Sequence, residues 1–143
     1  MDKETRVLYF VYCEAVENKA LPNGKQQTNI MNPLQFIGLK YLPTGFSYSI
    51  CFSIQGFDIE RQNELQIVLK NEQNEIVNDT GKIILPAVDE KANVSLPENY
   101  RGMQMTIDFR NVSFEKEGMH MSELWFNDKK LGEYPIGVLK VGE

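Results

Sequence analysis

The single histidine limits the acid–base chemistry open to this 143-residue sequence. A Ser-His-Asp triad or a histidine-based metal site would have to use His120, because the chain has no other imidazole. No serine lies in a Gly-x-Ser-x-Gly nucleophile elbow. We therefore predict no catalytic residue, and we expect His120, which stands beside Gly118, at a strand end or on the surface.

The two cysteines, Cys13 and Cys51, are the remaining candidate nucleophiles. Cys51 shares one face of a predicted strand with Ser47, Ser49 and Ser53. This row of small residues either faces solvent or packs beneath a flat element. A nucleophilic thiol needs a nearby base or cation, and the neighbouring sequence supplies neither. We predict that Cys51 is a small structural residue and that both thiols are free in a reducing, cytoplasmic compartment.

Metal and nucleotide cofactors have no recognisable binding motif in the sequence. Asp58-Ile59-Glu60 supplies only two acidic side chains, fewer than a calcium loop requires. Neither Gly-x-x-x-x-Gly-Lys-Ser/Thr nor Gly-x-Gly-x-x-Gly occurs. We predict no metal, no cofactor and no enzymatic activity. An active site assembled from dispersed carboxylates, with or without Cys51, is the alternative.

The composition argues against two kinds of partner. The formal net charge is −5 at pH 7, whereas a nucleic-acid-binding surface needs clustered lysine and arginine. The apolar run at residues 7–13 is too short for a membrane helix and lacks the cleavage site of a signal peptide. We therefore expect neither nucleic acid nor membrane as a partner.

Four aromatic residues at predicted strand ends or beside loops are the candidate binding residues: Tyr100, Phe114, Trp125 and Tyr134. Such side chains present a large apolar area, and Tyr and Trp add a polar tip, so they can anchor a protein partner or stack on a sugar ring. The alternative is that they cover the open ends of the hydrophobic core.

Alternation of apolar with small or polar residues predicts the strands that would position these candidates. It is strict at 46–55 and 103–110, and a third segment at 64–70 leads through a polar turn to Ile76-Val77. Further strands are predicted at 7–13, 82–85, 120–126, 131–134 and 136–141, with Pro135 breaking the last two apart. Eight or nine short strands without helical periodicity predict one domain over residues 1–143, an all-β antiparallel β-sandwich, immunoglobulin-like or related.

Two long loops are predicted, at residues 17–32 and at 89–101. The first contains the turn-forming Pro22-Asn23-Gly24. Long loops on a rigid β scaffold often carry binding residues, which makes residues 17–32 a candidate binding loop. A plain surface excursion is the alternative.

Two C-terminal segments have a recognisable order of residues: Val112-Ser113-Phe114-Glu115-Lys116-Glu117-Gly118 and, after it, Leu124-Trp125-Phe126-Asn127-Asp128-Lys129-Lys130-Leu131-Gly132-Glu133-Tyr134-Pro135-Ile136. Together they resemble the closing hairpin of small bacterial β-sandwich proteins of unknown function. In this chain Met119 and His120 stand where those proteins often carry an aromatic residue. The resemblance implies a β-sandwich in a bacterial or bacteriophage setting, and it carries no catalytic residue.

These observations favour a non-enzymatic module that binds another protein through a sheet face, an edge strand or residues 17–32. A carbohydrate- or small-ligand-binding domain with aromatic stacking at Trp125 is an alternative from a different class. A further alternative is a structural component of an assembly, which would form homo-oligomers through an edge strand.

Overall fold

The computed structural model describes residues 4–88 and 96–142, which contain ten strands and one short 3-10 turn at Glu98–Tyr100. In chain order the strands are β1 (Arg6–Ala20), β2 (Gln26–Pro33), β3 (Phe36–Leu39), β4 (Thr44–Gln55), β5 (Asn63–Lys70), β6 (Ile76–Asp79), β7 (Ile83–Leu85), β8 (Gly102–Phe114), β9 (Gly118–Phe126) and β10 (Lys129–Lys140). Within these ranges no helix is long and apolar enough to cross a membrane. The predicted loop at residues 89–101 lies partly outside the described residues.

The strands form two sheets that pack face to face. The four-stranded sheet has the order β2-β1-β4-β8, and the six-stranded sheet has the order β3-β10-β9-β5-β6, with β7 also pairing with β5. The strand pairs are antiparallel except β3 with β10, which is parallel. The predicted all-β sandwich is confirmed, with ten strands in place of eight or nine and with one parallel pair.

Inward-facing residues of both sheets form a common hydrophobic core. The alternating apolar residues predicted on β4 and β5 are buried in one cluster: Ile50, Phe52, Ile54, Leu65, Ile67 and Leu69. Burial of apolar surface is the main stabilising term, at about 25 cal/mol per Å² removed from water. Alternation in the sequence therefore located the interior of both sheets correctly.

Residues 17–32 are mostly strand, so the prediction of a long loop was wrong. β1 continues to Ala20 and β2 begins at Gln26, and only residues 21–25 form a turn. Backbone hydrogen bonds between Leu21 and Lys25 and between Gly24 and Leu21 close this turn. The segment looked like a loop because its Asn, Gln and Lys residues lack apolar alternation, yet its backbone pairs regularly along the hairpin.

The distal part of the β1–β2 hairpin, residues 14–32, is here called the hairpin arm. β1 pairs with β4 as far as Cys13 and with β2 from Cys13 onward. Oγ1 of Thr28 in the arm lies 3.2 Å from Oε1 of Gln104 on β8. β2 and β8 are three positions apart in the sheet, a separation of about 14 Å when strands lie side by side. The contact therefore requires the arm to fold back across the outer face of the four-stranded sheet.

The arm explains why small residues occupy the outer face of β4. Cys51 has no exposed surface and Ser49 and Ser53 are buried, although all three face away from the core between the sheets. Of the two interpretations of this row, packing beneath a flat element is therefore correct for Ser49, Cys51 and Ser53, whereas Ser47 is exposed. Both faces of β4 are thus shielded from water over residues 48–54.

Pro135 does not end a strand, which corrects the predicted break before residue 136. β10 runs without interruption from Lys129 to Lys140, and Pro135 lies opposite Met121 of β9. β3 pairs with β10 only from Gly137 onward, so β9 is the only described strand that pairs with β10 at Pro135. A proline is tolerated there because no strand on that side requires its missing N–H.

Candidate functional site

β8 is a long strand with one unpaired edge. It pairs with β4 from Gly102 to Phe114, and no described strand pairs with its other side. A register shift interrupts the ladder near Asn111, whose φ is 51°. The regular free edge therefore spans residues 102–109. The other sheet-edge strands in the described part are shorter, from three residues in β7 to eight in β2.

Apolar side chains along this edge are only partly covered. Four residues of β8 pack against the core while remaining half-buried: Met103, Met105, Ile107 and Phe109. On the six-stranded sheet, β6 contacts β8 and β7 continues the same sheet edge. Those two strands contribute Val77, Ile83 and Leu85, which are also half-buried. We call the four β8 residues and these three together the β8 seam.

The free edge lacks the residues that usually block unwanted strand pairing. Residues 102–109 contain no lysine and no proline, and Asp108 is their only charged residue. The Asp108 carboxylate accepts a hydrogen bond from the Ser49 hydroxyl at 2.5 Å, which holds it on the outer face of the sheet. An added strand would therefore meet no charge within the seam itself.

A cavity of about 240 Å³ lies near the end of β8, beside His120. His120 is 1% exposed and is the third residue of β9, so of our two predicted positions, a strand end or the surface, the surface one was wrong. Its Nδ1 lies 3.0 Å from the carbonyl oxygen of Gly118, and its ring packs edge-on against Phe114. On β9, His120, Ser122 and Leu124 lie on the face that points into the core. The sequence did not show which face of β9 points inward, because polar and apolar residues occur on both faces.

The four predicted aromatic binding residues do not form a common site. Phe114 is fully buried in the core, which corrects its prediction as a binding residue because no partner can reach it. Tyr134 is half-buried and stacks on Phe10, with ring centroids 4.3 Å apart. Tyr100 is 59% exposed on the 3-10 turn before β8.

Trp125, the fourth of these aromatic residues, lies on the outer face of the six-stranded sheet. It is half-buried, and its indole Nε1 donates a hydrogen bond to Glu123 at 3.2 Å. It lines a shallow depression of about 390 Å³ together with Gln66 and Asp79. Trp125 is therefore the one predicted aromatic residue that borders a concave surface with polar groups.

Neither cysteine is placed for nucleophilic chemistry. Cys13 and Cys51 are both free and fully buried. Burial raises the pKa of the Cys13 thiol, and the neighbouring Cys51 and Asp108 raise it further. A protonated, inaccessible thiol is a poor nucleophile. In the described ranges, no group of three or more His, Cys, Asp or Glu side chains is arranged to hold a metal ion.

Sequence comparison places the chain in a family. The model of DUF6941, a family of unknown function, matches residues 8–139. The chain belongs to this family. DUF6941 membership agrees with the resemblance to small β proteins of unknown function and assigns no activity. No curated protein matches the sequence.

Solved structures are similar to this DUF6941 member at low sequence identity. The alkylpurine DNA glycosylase AlkC from Pseudomonas fluorescens is 10% identical with a TM-score of 0.52, and the match covers 95% of this chain but 30% of that one. An immunoglobulin-like protein from Pseudomonas aeruginosa is 12% identical with a TM-score of 0.43, covering 95% and 97%. A β-glucosidase from Listeria innocua is 13% identical with a TM-score of 0.44, covering 94% and 16%. At these identities the likeness concerns the fold alone.

Proposed function

We propose that this DUF6941 member is a non-enzymatic module that binds an extended segment of a partner protein along the free edge of β8. The observation that supports the proposal is the unpaired edge over residues 102–109, bordered by the half-buried side chains of the β8 seam. Main-chain N–H and C=O groups on such an edge pair with an added strand, and alternate side-chain pockets select its sequence.

The seam defines the chemistry of the partner. The inward residues Met103, Met105 and Ile107 recur at every second position, so a strand added beside them would place every second side chain over the seam. Large apolar side chains at those positions would complete the burial of the seam. The flexible methionine side chains can adapt to different apolar shapes. The expected partner segment therefore alternates apolar and polar residues.

A pair of charge substitutions tests this proposal. Met105→Lys places an ammonium group on the seam, whereas Met119→Lys places the same group on a 50%-exposed position of β9, away from the seam. We expect a protein captured from native cells by the wild type to be retained by Met119→Lys and lost by Met105→Lys. Amide hydrogen exchange at residues 102–109 should slow in the purified complex.

Equal retention of the partner by Met105→Lys, or exchange protection confined to another surface, would contradict strand addition at β8. Circular dichroism and thermal unfolding of both variants show whether Met105→Lys remains folded. A variant that folds at 25 °C but loses the partner separates binding from stability.

Self-association at the same edge is a second candidate function, in which this chain would be a structural component of an assembly. The same seam favours it, because two copies of β8 could pair with each other. Light scattering with size-exclusion chromatography distinguishes the two proposals. A homodimer that Met105→Lys dissociates supports self-assembly, and a monomer at all concentrations contradicts it.

The depression beside Trp125 favours carbohydrate or small-ligand binding as a third candidate. Because Trp125 is the only tryptophan, its fluorescence reports on this face alone. Saturable quenching by added sugars, abolished by Gln66→Ala, supports the candidate. An unresponsive indole contradicts it.

The proposed setting is the cytoplasm of a bacterium or of a cell infected by a bacteriophage. Two free, buried cysteines fit a reducing compartment. The resemblance of the C-terminal hairpin supports the bacterial or bacteriophage setting.

A further inference from the structure

We propose that the cavity beside His120 binds a primary ammonium group carried on a short aliphatic stem. The site is separate from the free edge at residues 102–109 and does not depend on strand addition there. Its ligand is either a small free amine or the lysine side chain of a peptide, which share this chemistry. The inference rests on an unpartnered ring nitrogen, on the charge of the rim and on the size of the cavity.

Among the described residues that line the cavity, His120 is the only buried one. Nδ1 faces the carbonyl oxygen of Gly118 at 3.0 Å, so in the neutral imidazole Nδ1 carries the proton and Nε2 carries a lone pair. No described group hydrogen-bonds to Nε2. Every fully buried side-chain nitrogen or oxygen in the described residues has a partner, so the unpartnered Nε2 keeps a small exposed area, and His120 is one of the residues that line the cavity. The cavity therefore offers an acceptor, to which a ligand with an N–H or O–H donor can hydrogen-bond.

The charges at the rim favour an ammonium donor over a neutral hydroxyl. Glu75 accepts hydrogen bonds from Asn71 and Lys116, both at 2.8 Å, and the Lys116 bond is the main cause of its lowered pKa. Glu115 also lines the cavity and has no described hydrogen-bond or ion-pair partner. Two carboxylates and one ammonium leave the lining with one net negative charge. A cation restores neutrality there.

The volume and walls of the cavity suit an alkyl stem. About 240 Å³ exceeds the roughly 30 Å³ share of one water molecule and lies below the range typical of drug-sized ligands. Ile76 and Val77 supply apolar wall beside the polar groups. A chain of four or so methylene groups can lie against these walls while its ammonium group donates to Nε2.

Nitrogen NMR of the full-length, untagged chain tests the site directly. Because the sequence has one histidine, the long-range imidazole spectrum of ¹⁵N-labelled protein contains only the two nitrogens of His120. The titration is run where this spectrum shows the neutral ring. We expect n-butylammonium or N-acetyl-lysine amide to move the Nε2 resonance saturably towards the range of a hydrogen-bonded nitrogen. Whichever of the two saturates at lower concentration identifies the source of the ammonium group.

Matched controls distinguish ammonium recognition from general effects. Neutral n-butanol should need at least tenfold higher concentration, and Glu115→Gln should weaken amine binding several-fold. Glu60→Gln, at the opposite end of β5, should leave binding unchanged. Absence of a saturable shift, an equal response to n-butanol, or equal weakening by Glu60→Gln would each overturn the proposal. These readouts require no protein partner, so they succeed or fail independently of strand addition at β8.

Discussion

The hydroxyl of Tyr12 lies 2.6 Å from the carbonyl oxygen of Tyr134 and joins the two sheets through a partly buried hydrogen bond. Tyr12 belongs to β1 of the four-stranded sheet, and Tyr134 belongs to β10 of the six-stranded sheet. Oγ of Ser122 lies 2.7 Å from the same hydroxyl. Because a phenol carries one proton, Tyr12 donates to the carbonyl and accepts from Ser122. One side chain thus satisfies a buried hydroxyl and a partly buried carbonyl group.

Removing this hydroxyl should destabilise the fold. Tyr12→Phe leaves the Ser122 hydroxyl and the Tyr134 carbonyl without their partner, a cost of about 1–3 kcal/mol. Urea denaturation followed by circular dichroism measures the free energy of unfolding. Tyr100→Phe, at a 59%-exposed site, is the matched control and should change it by less than about 0.5 kcal/mol. Equal stability of both variants would contradict an energetic role for the inter-sheet bond.

The buried tyrosines should make the protein sensitive to alkali. Burial raises the pKa of Tyr12 and of Tyr48 above the ordinary value of about 10. In the unfolded chain these phenols ionise near pH 10, whereas the folded protein keeps them protonated. The unfolded state then binds fewer protons, so stability is fully present below about pH 10 and falls as pH rises above it.

Tyr48→Phe tests this alkaline dependence. The Tyr48 hydroxyl has no described hydrogen-bond partner, so the variant should be close to wild-type stability at pH 8. Between pH 10 and 11 its free energy of unfolding should fall less steeply, by up to about 1.4 kcal/mol per pH unit. Tyr41→Phe, at a 72%-exposed position, should keep the wild-type slope. Identical slopes for all three proteins would contradict the assignment.

Gly102 begins β8 at a point where no side chain fits. A Cβ built there would lie 2.0 Å from the carbonyl oxygen of Ile54, on the neighbouring strand. We expect Gly102→Ala to lower the melting temperature, at a cost of about 1–3 kcal/mol from overpacking. Gly45→Ala, whose Cβ would make ordinary contacts at 3.6 Å or more, is the control. If Gly102→Ala and Gly45→Ala melt at similar temperatures, the start of β8 can move enough to accommodate the added methyl group.

The two thiols should resist modification in the folded protein. Cys13 and Cys51 have no exposed surface, and the hairpin arm lies over the face that carries them. We expect a bulky aromatic disulfide reagent to react slowly in native buffer and with two thiols per chain in denaturant. Rapid reaction of one thiol in native buffer would show that the arm opens readily.

The sequence located those strands in which apolar residues alternate strongly. It did not locate strands that are held mainly by backbone hydrogen bonds to a neighbouring strand. β4, β5 and β8 were located because their apolar residues recur at every second position. β2 was missed because its polar residues are held mainly by backbone pairing along the arm. β3 was missed because four residues are too few to show a period. Backbone hydrogen bonds leave no compositional signal.

The candidate sites could be predicted only in part. Trp125 was chosen from its side-chain type and borders a depression, but its role in binding stays a prediction. Phe114 is buried, and the sequence alone does not show whether an aromatic residue at a strand end points inward or outward. The free edge of β8 depends on strand order, which connects residues far apart in the chain. The cavity beside His120 combines the ends of β8 and β9 with the turn after β5. No local pattern encodes such combinations.

The tip of the hairpin arm is a suitable site for attaching a fluorescent dye. Asn23 is exposed in the turn at residues 21–25, between the end of β1 and the start of β2, while both native thiols are shielded. Asn23→Cys would therefore create a single attachment point for a maleimide dye without removal of Cys13 or Cys51. Energy transfer from Trp125 to such a dye would follow arm opening in real time, in a chain that otherwise needs no engineering.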